Sequence, residues 1–226
     1  MISSKIRYKF INTIVNDIYI RQNICSFPIN LIDVINSLDI KIKVLSYSQF
    51  MYFYNIPREV VFDILTSDDG CCDYLSGKYV IYYNDLNNLP KERINWTIAH
   101  ELGHILCNHY KYSGTKLFNS NLSEIEYEFL EKEANYFASM LLSHSSVLLQ
   151  LDIHNPYEIE IFCNLSKQAS KFRYENYLRW KKFNNLSSSD RYIIRNFQKY
   201  IDLKKQEYIE HLDFINLFNK KKILSY

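Results

Sequence analysis

Residues 90–109 read Pro90-Lys-Glu-Arg-Ile-Asn-Trp96-Thr-Ile-Ala-His100-Glu101-Leu-Gly-His104-Ile-Leu-Cys107-Asn-His109. Proline is tolerated in the first turn of a helix, and the preceding Asn88 is a residue type that caps one. The stretch therefore predicts a long helix from about Pro90 to about His109. Inside it stands the pattern H-E-x-x-H. Four residues advance a helix by about 6 Å and turn it by about 40°, so both imidazoles leave one face and can bind one metal ion together. Glu101 sits beside them, where it can take a proton from an attacking water. Six His and 13 Glu scattered at random would give about 0.01 such patterns in a chain of this length. Zinc suits the donor set, since it accepts nitrogen and oxygen ligands in a tetrahedral site.

A catalytic zinc needs a third protein ligand and one open position. A metzincin would carry Gly three residues and His six residues after His104, but Cys107 and Tyr110 stand there. The third ligand is then sought on the following helix, predicted from Ser123 to about Leu142, which offers Glu124, Glu126, Glu128, Glu131 and Glu133. Ala134, Asn135, Ala138 and Leu142 lie within about 60° of Glu131 on a helical wheel, whereas Glu133 points about 160° away. Small side chains on that face would admit a close neighbour and let a carboxylate reach the metal. Glu131 is therefore the expected third ligand, with Asn135 one turn on to hydrogen-bond a liganding histidine. On the same wheel His109 falls about 180° from His100 and reads as structural. Cys107 reads as a core cysteine.

The run Trp96–His104, then His109, then Glu131-Lys-Glu-Ala-Asn135-Tyr-Phe-Ala138 with Leu141-Leu142, resembles the ImmA/IrrE family of zinc metallopeptidases. That family pairs an A-H-E-L-G-H helix with an E-x-E-A-N-x-F-A helix. The resemblance covers roughly residues 25–185. It implies His100, His104 and Glu131 as zinc ligands and Glu101 as general base to a metal-activated water. It also implies a cytosolic peptidase acting on a regulatory protein, typically a helix-turn-helix repressor of a mobile element or stress regulon. Where the family usually has Met-Pro after its paired leucines, this chain has Ser143-His144. The stretch after about residue 185 has no counterpart there.

Outward from the site, the expected fold is α+β and gluzincin-like, with a small mixed sheet packed on the metal-binding helices and a helical carboxy-terminal part. Residues 5–20 read as a helix with an Ile6, Phe10, Ile14, Ile18 stripe. A short helix follows Pro28. Ile40, Ile42 and Val44 alternate with lysines as in a half-buried strand. A helix is expected over 57–66, strands over 71–75 and 78–83 about a Ser76-Gly77 turn, and further helices from Asn155-Pro156 and over 166–183. A last helix, about 189–218, would pack along Phe197, Ile201, Tyr208, Ile215 and Phe218. The expected divisions are an N-terminal helix over 1–24, a metallopeptidase domain over 25–185, and a basic helical extension over 186–226. The strand at 79–83 is a candidate partner for an extended substrate. His109, His144 and several tyrosines are candidate donors to the oxyanion.

Composition narrows the remaining classes. The 226 residues are 47% hydrophobic and 23% charged, with four Gly and four Pro, which excludes collagen-like, linker-rich and largely disordered chains. No apolar run approaches the roughly 20 residues of a membrane span. The charge-broken start does not read as a signal peptide, so the cytoplasm is expected and no membrane partner is. Five cysteines without C-x-x-C spacing argue against a disulfide framework, and Cys71-Cys72 reads as part of a half-buried strand. Residues 1–164 carry net −6 and residues 165–226 net +8, within a total of +2. That asymmetry keeps open a nucleic-acid partner through Lys167, Lys171, Arg173, Arg179, Lys181 and Lys182, less favoured than a protein substrate. A zinc-containing module that binds a repressor or antitoxin without cutting it is the other alternative.

Overall fold

The computed structural model describes residues 5–113, 122–183 and 186–223. Along the chain run α1 (Tyr8–Arg21), α2 (Leu31–Asn36), β1 (Ile42–Ser46), α3 (Tyr47–Tyr54), α4 (Arg58–Leu65), β2 (Gly70–Leu75) and β3 (Lys78–Tyr83). Then follow α5 (Lys91–Leu106), α6 (Tyr110–Ser113), α7 (Glu124–Leu142), α8 (Ser145–Gln150), α9 (Pro156–Cys163), α10 (Lys167–Phe183) and α11 (Ser188–Ile223). The class is α+β, as expected.

The sheet has the order β1-β3-β2, with β1 parallel and β2 antiparallel to β3. Ser76 and Gly77 both take left-handed backbone angles, φ 51° and 78°, which suits the twist of a two-residue hairpin. The central strand is β3, paired on both sides, so its expected role as a docking strand is corrected. Among the described residues, the outer strand beside the cleft described below is β2. It holds Cys71 and Cys72, neither in a disulfide, with Cys72 buried.

The two motif helices lie against each other where both are smallest. A Cβ added to Gly103 would stand 3.0 Å from Phe137 Cδ1 and 3.1 Å from Ala134 Cα. The backbone of α7 thus comes as close as a glycine permits, and the expectation from Ala134 holds. Gly103→Val is expected to destabilise the fold by about 3 kcal/mol, because backbone atoms cannot swing aside as a flexible side chain does. Urea unfolding compared with the parent chain checks this.

Several elements depart from expectation. The buried face of α1 is Ile11, Val15, Ile18 and Tyr19, while Phe10 is 42% exposed. The four-residue stripe drifts around a 3.6-residue helix, and the face that meets α7 and α11 is the one spaced four, three and one. Asn88 is not the cap of α5. It takes a left-handed turn, φ 48°, and Pro90 is the N-cap. Helices α3 and α8 were not anticipated. The first starts with a capping box between Ser46 and Gln49 inside an aromatic run. The second starts at His144, whose ring accepts from the Ser146 amide. Ser123 and Asn155 cap α7 and α9 as read. In α11, Phe197 and Ile201 are buried and Tyr208 packs partly against the core. The side chains of Ile215 and Phe218 lie outside the described residues. Among the described residues, no helix is long and apolar enough to cross a membrane.

Candidate metal centre

His100, His104 and Glu131 come together, the two histidines from the C-terminal half of α5, His104 in its last turn, and the glutamate from the first half of α7. Their donor atoms all lie within 4.8 Å of one another. His100 Nε2 is 3.0 Å from His104 Nε2, and the Glu131 carboxylate oxygens lie 3.2 and 3.3 Å from these two nitrogens.

The outer hydrogen bonds set which ring nitrogens carry protons. His100 Nδ1 lies 3.1 Å from the Asn135 side-chain oxygen, an acceptor, so Nδ1 is the protonated nitrogen and Nε2 keeps its lone pair. Asn135 therefore stands where the sequence placed it. A second chain of bonds orders His104. Glu133 lies 3.1 Å from His109 Nε2, which must donate to it, leaving His109 Nδ1 to accept from His104 Nδ1 at 2.9 Å. His104 Nε2 is then also a bare lone pair. Two lone pairs and a carboxylate converge within hydrogen-bonding distance with no donor of their own, an arrangement that calls for a cation or an added proton. Burial holds His104 neutral, down to about 3. Against the lowering effect of burial, contacts with Glu131 and the nearby Glu101 carboxylate raise His100 above its ordinary value. Burial opposes ionisation of Glu131, yet the two imidazoles against its oxygens hold it well below the usual carboxylate range, because a proton in the cluster rests on a ring in preference to the carboxylate.

His109 departs from the wheel reading. Helix α5 ends at Leu106, Asn108 turns left-handed at φ 60°, and the chain folds back so that His109 lies under His104. It is structural as read, but in direct contact with the histidine pair rather than on the far side of the helix. The residue that completes this arrangement, Arg7, gave no signal in the sequence. Its backbone amide donates to Glu133 at 2.7 Å, its guanidinium Nε lies 3.0 Å from both carboxylate oxygens, and Nη2 donates to the Cys107 carbonyl at 3.0 Å. The segment before α1 thereby ties the end of α5 to α7. Cys107 itself is fully buried, and burial raises its thiol to about 12.

Despite burial, His109 and Arg7 together hold Glu133 at about 2, against an ordinary 4.5. A depressed folded value means that its stabilisation is full above pH 4.5 and is lost as pH falls towards 2. Arg7→Ala is expected to cost about 3 kcal/mol of stability near neutral pH, because a buried carboxylate loses its charged partner. It is also expected to weaken metal affinity about tenfold through the loosened His109. Denaturant unfolding and metal titration of the same variant read the two effects separately.

A cleft of about 330 Å³ opens over the three-residue cluster. Its walls are the end of α4, β2 from Gly70 to Asp73, α5 and α7. Glu101 lines it at 9% exposure, and burial raises its carboxyl to about 7. The candidate oxyanion donors sort by position. Tyr127 lines the cleft and its hydroxyl bonds Glu131. Tyr110 lines it too, with its hydroxyl given to the Cys72 carbonyl at 2.9 Å. His144 is buried elsewhere, 2.8 Å from Asn16, and is corrected as a candidate.

The family model of the IrrE N-terminal-like domain, peptidase family M78, matches residues 59–175. The chain belongs to this family. The match starts in α4 and ends in α10, so it holds the cleft and its cluster but not Arg7. Curated proteins and solved structures gave no match. The Ser143-His144 departure noted in the sequence leaves the α7–α8 turn intact, with Ser143 ending one helix and His144 starting the next.

Proposed function

We propose that the chain is an intracellular zinc-dependent endopeptidase that hydrolyses a peptide bond in a specific regulatory protein, with a helix-turn-helix repressor as the expected substrate class. The observation that carries this reading is the convergence of two unprotonated imidazole nitrogens and a carboxylate at the floor of a cleft, with Glu101 beside them. His100, His104 and Glu131 would hold the metal, which when bound would polarise the scissile carbonyl and acidify the attacking water. Glu101 takes the proton of that water and passes it to the leaving amine. Burial raises this carboxyl to about 7 and a bound cation would lower it, which suits it to accept that proton. Tyr127 offers a hydroxyl to the oxygen on which charge develops. The strand β2 lines the cleft and would lie alongside an extended substrate.

Membership of a peptidase family and a retained Glu101 both favour cleavage over a purely binding module. The nucleic-acid reading loses one of its residues, because Arg173 is fully buried. Elemental analysis of the purified chain after reconstitution is the test. About one zinc per chain supports the reading, and a chain that retains no metal overturns it.

A further inference from the structure

Behind α7, on the side away from the cleft, lies a larger cavity of about 810 Å³. That is within the usual range of small-molecule sites. Helices α1, α7 and α10 and the start of α11 enclose it. Its apolar walls are Tyr8, Ile20, Tyr136, Met140, Trp180 and Phe183. Tyr8 and Phe183 stand 40% and 78% exposed at its rim.

One buried donor of its lining, and a buried guanidinium just behind it, have polar atoms without an acceptor among the described residues. Asn176 lines the cavity at 5% exposure, and its Nδ2 has no hydrogen-bond partner among the described residues. Directly behind Met140 is Arg173, fully buried, with Nη2 3.5 Å from the Met140 sulfur. Arg173 donates to the Ser143 carbonyl and the Ser145 hydroxyl, but these are neutral acceptors, and its Nη1 has no partner among the described residues. A guanidinium buried without a carboxylate leaves its positive field unbalanced in a low-dielectric interior.

Lys9 and Arg179 add two exposed cations at the cavity. Asp17 and Asp190 line the cavity as well and match these cations in number. Asp17 pairs with Arg21 at 2.8 Å, and Asp190 accepts from the backbone amide of Ser187 at 2.8 Å and from its hydroxyl. Glu175 reaches Arg179 only at 4.0 Å, with both side chains exposed to solvent. With the lining balanced, two cations against two carboxylates, the surplus positive charge beside this aromatic-walled cavity is the buried Arg173 behind Met140, and it favours an anionic guest.

We propose that this cavity is a second ligand site that takes a small organic anion, its apolar body against Trp180 and Tyr8 and its negative group met by Arg179, Lys9 and the Asn176 amide. The site is separate from the metal cluster and does not depend on the peptidase reading.

The chain has two tryptophans, Trp96 and Trp180, so a full-length Trp96→Phe chain reports on the cavity through Trp180 alone. The probes are 4-phenylbutyrate, 4-phenylbutan-1-ol and 4-phenylbutylamine, which share one body and differ in charge. Saturable change with the carboxylate is expected below about 1 mM, with the alcohol about tenfold weaker and the ammonium weaker still. The double variant Lys9→Ala/Arg179→Ala changes only exposed side chains. It should weaken the carboxylate about tenfold and leave the alcohol unchanged. Asn176→Leu should weaken the carboxylate as well, in a chain shown folded by its circular dichroism. No saturation by about 10 mM would overturn the proposal, as would equal affinity for acid and alcohol or an unaffected double variant.

Discussion

Glu101→Gln is expected to keep its metal and lose peptide-bond cleavage by about 10³- to 10⁴-fold in kcat/KM, the range in which a positioned general base acts. The amide matches the carboxylate in shape but cannot accept the proton of water. Glu101 is not among the three converging donors, so metal content should equal that of the parent chain. Burial sets the carboxyl near 7 in the metal-free chain, and an adjacent cation lowers it. Parent activity should therefore fall as pH drops through a value somewhat below 7, where the base becomes protonated, and the variant's residual rate should lack that limb. Assay on a repressor substrate, with zinc measured on the same sample, separates the outcomes. Cleavage that survives the substitution would remove Glu101 from the mechanism, and a regulatory effect that survives without cleavage would favour the binding-module reading.

Glu131→Ala should abolish metal retention, whereas Glu133→Ala should keep it in weakened form on a less stable chain. The two glutamates are two residues apart on α7 and leave it on opposite sides. Glu131 faces both bare Nε2 atoms, while Glu133 is spent on His109 and Arg7. Losing one of three protein ligands should weaken zinc binding roughly a thousandfold, about 4 kcal/mol. Losing the Glu133–His109 contact disturbs only the orientation of His104, for which a tenfold effect is typical. Competition titration against a chromophoric chelator measures both. Equal loss in the two variants would mean that Glu133 ligates the metal, and the geometry of α7 would have to be redrawn.

Most of the centre was legible because its parts are local. His100, Glu101 and His104 lie within one turn of one helix, and helical period alone puts both imidazoles on one face. Glu131 was reachable by the same arithmetic applied to α7, helped by Ala134 and Asn135 on its face. Caps written in a few residues, at Ser123 and Asn155, were also readable. His109 was misplaced because the wheel continues a helix that the chain ends at Leu106. The left-handed turn at Asn108 is a choice made by packing, which brings the imidazole under His104.

What the sequence by itself determined is the local chemistry: an H-E-x-x-H helix, a glutamate helix in phase with it, the β2–β3 hairpin, and the α+β class. Tertiary structure decided what meets across distance. It placed Arg7 on Glu133, 126 residues away, and made β3 central with β1 and β2 on its two sides. It also turned Ile11 and Val15 of α1 inward in place of Phe10, and buried Arg173 behind an aromatic cavity. Each of these depends on which faces pack together, and no period or motif within a single segment carries that information.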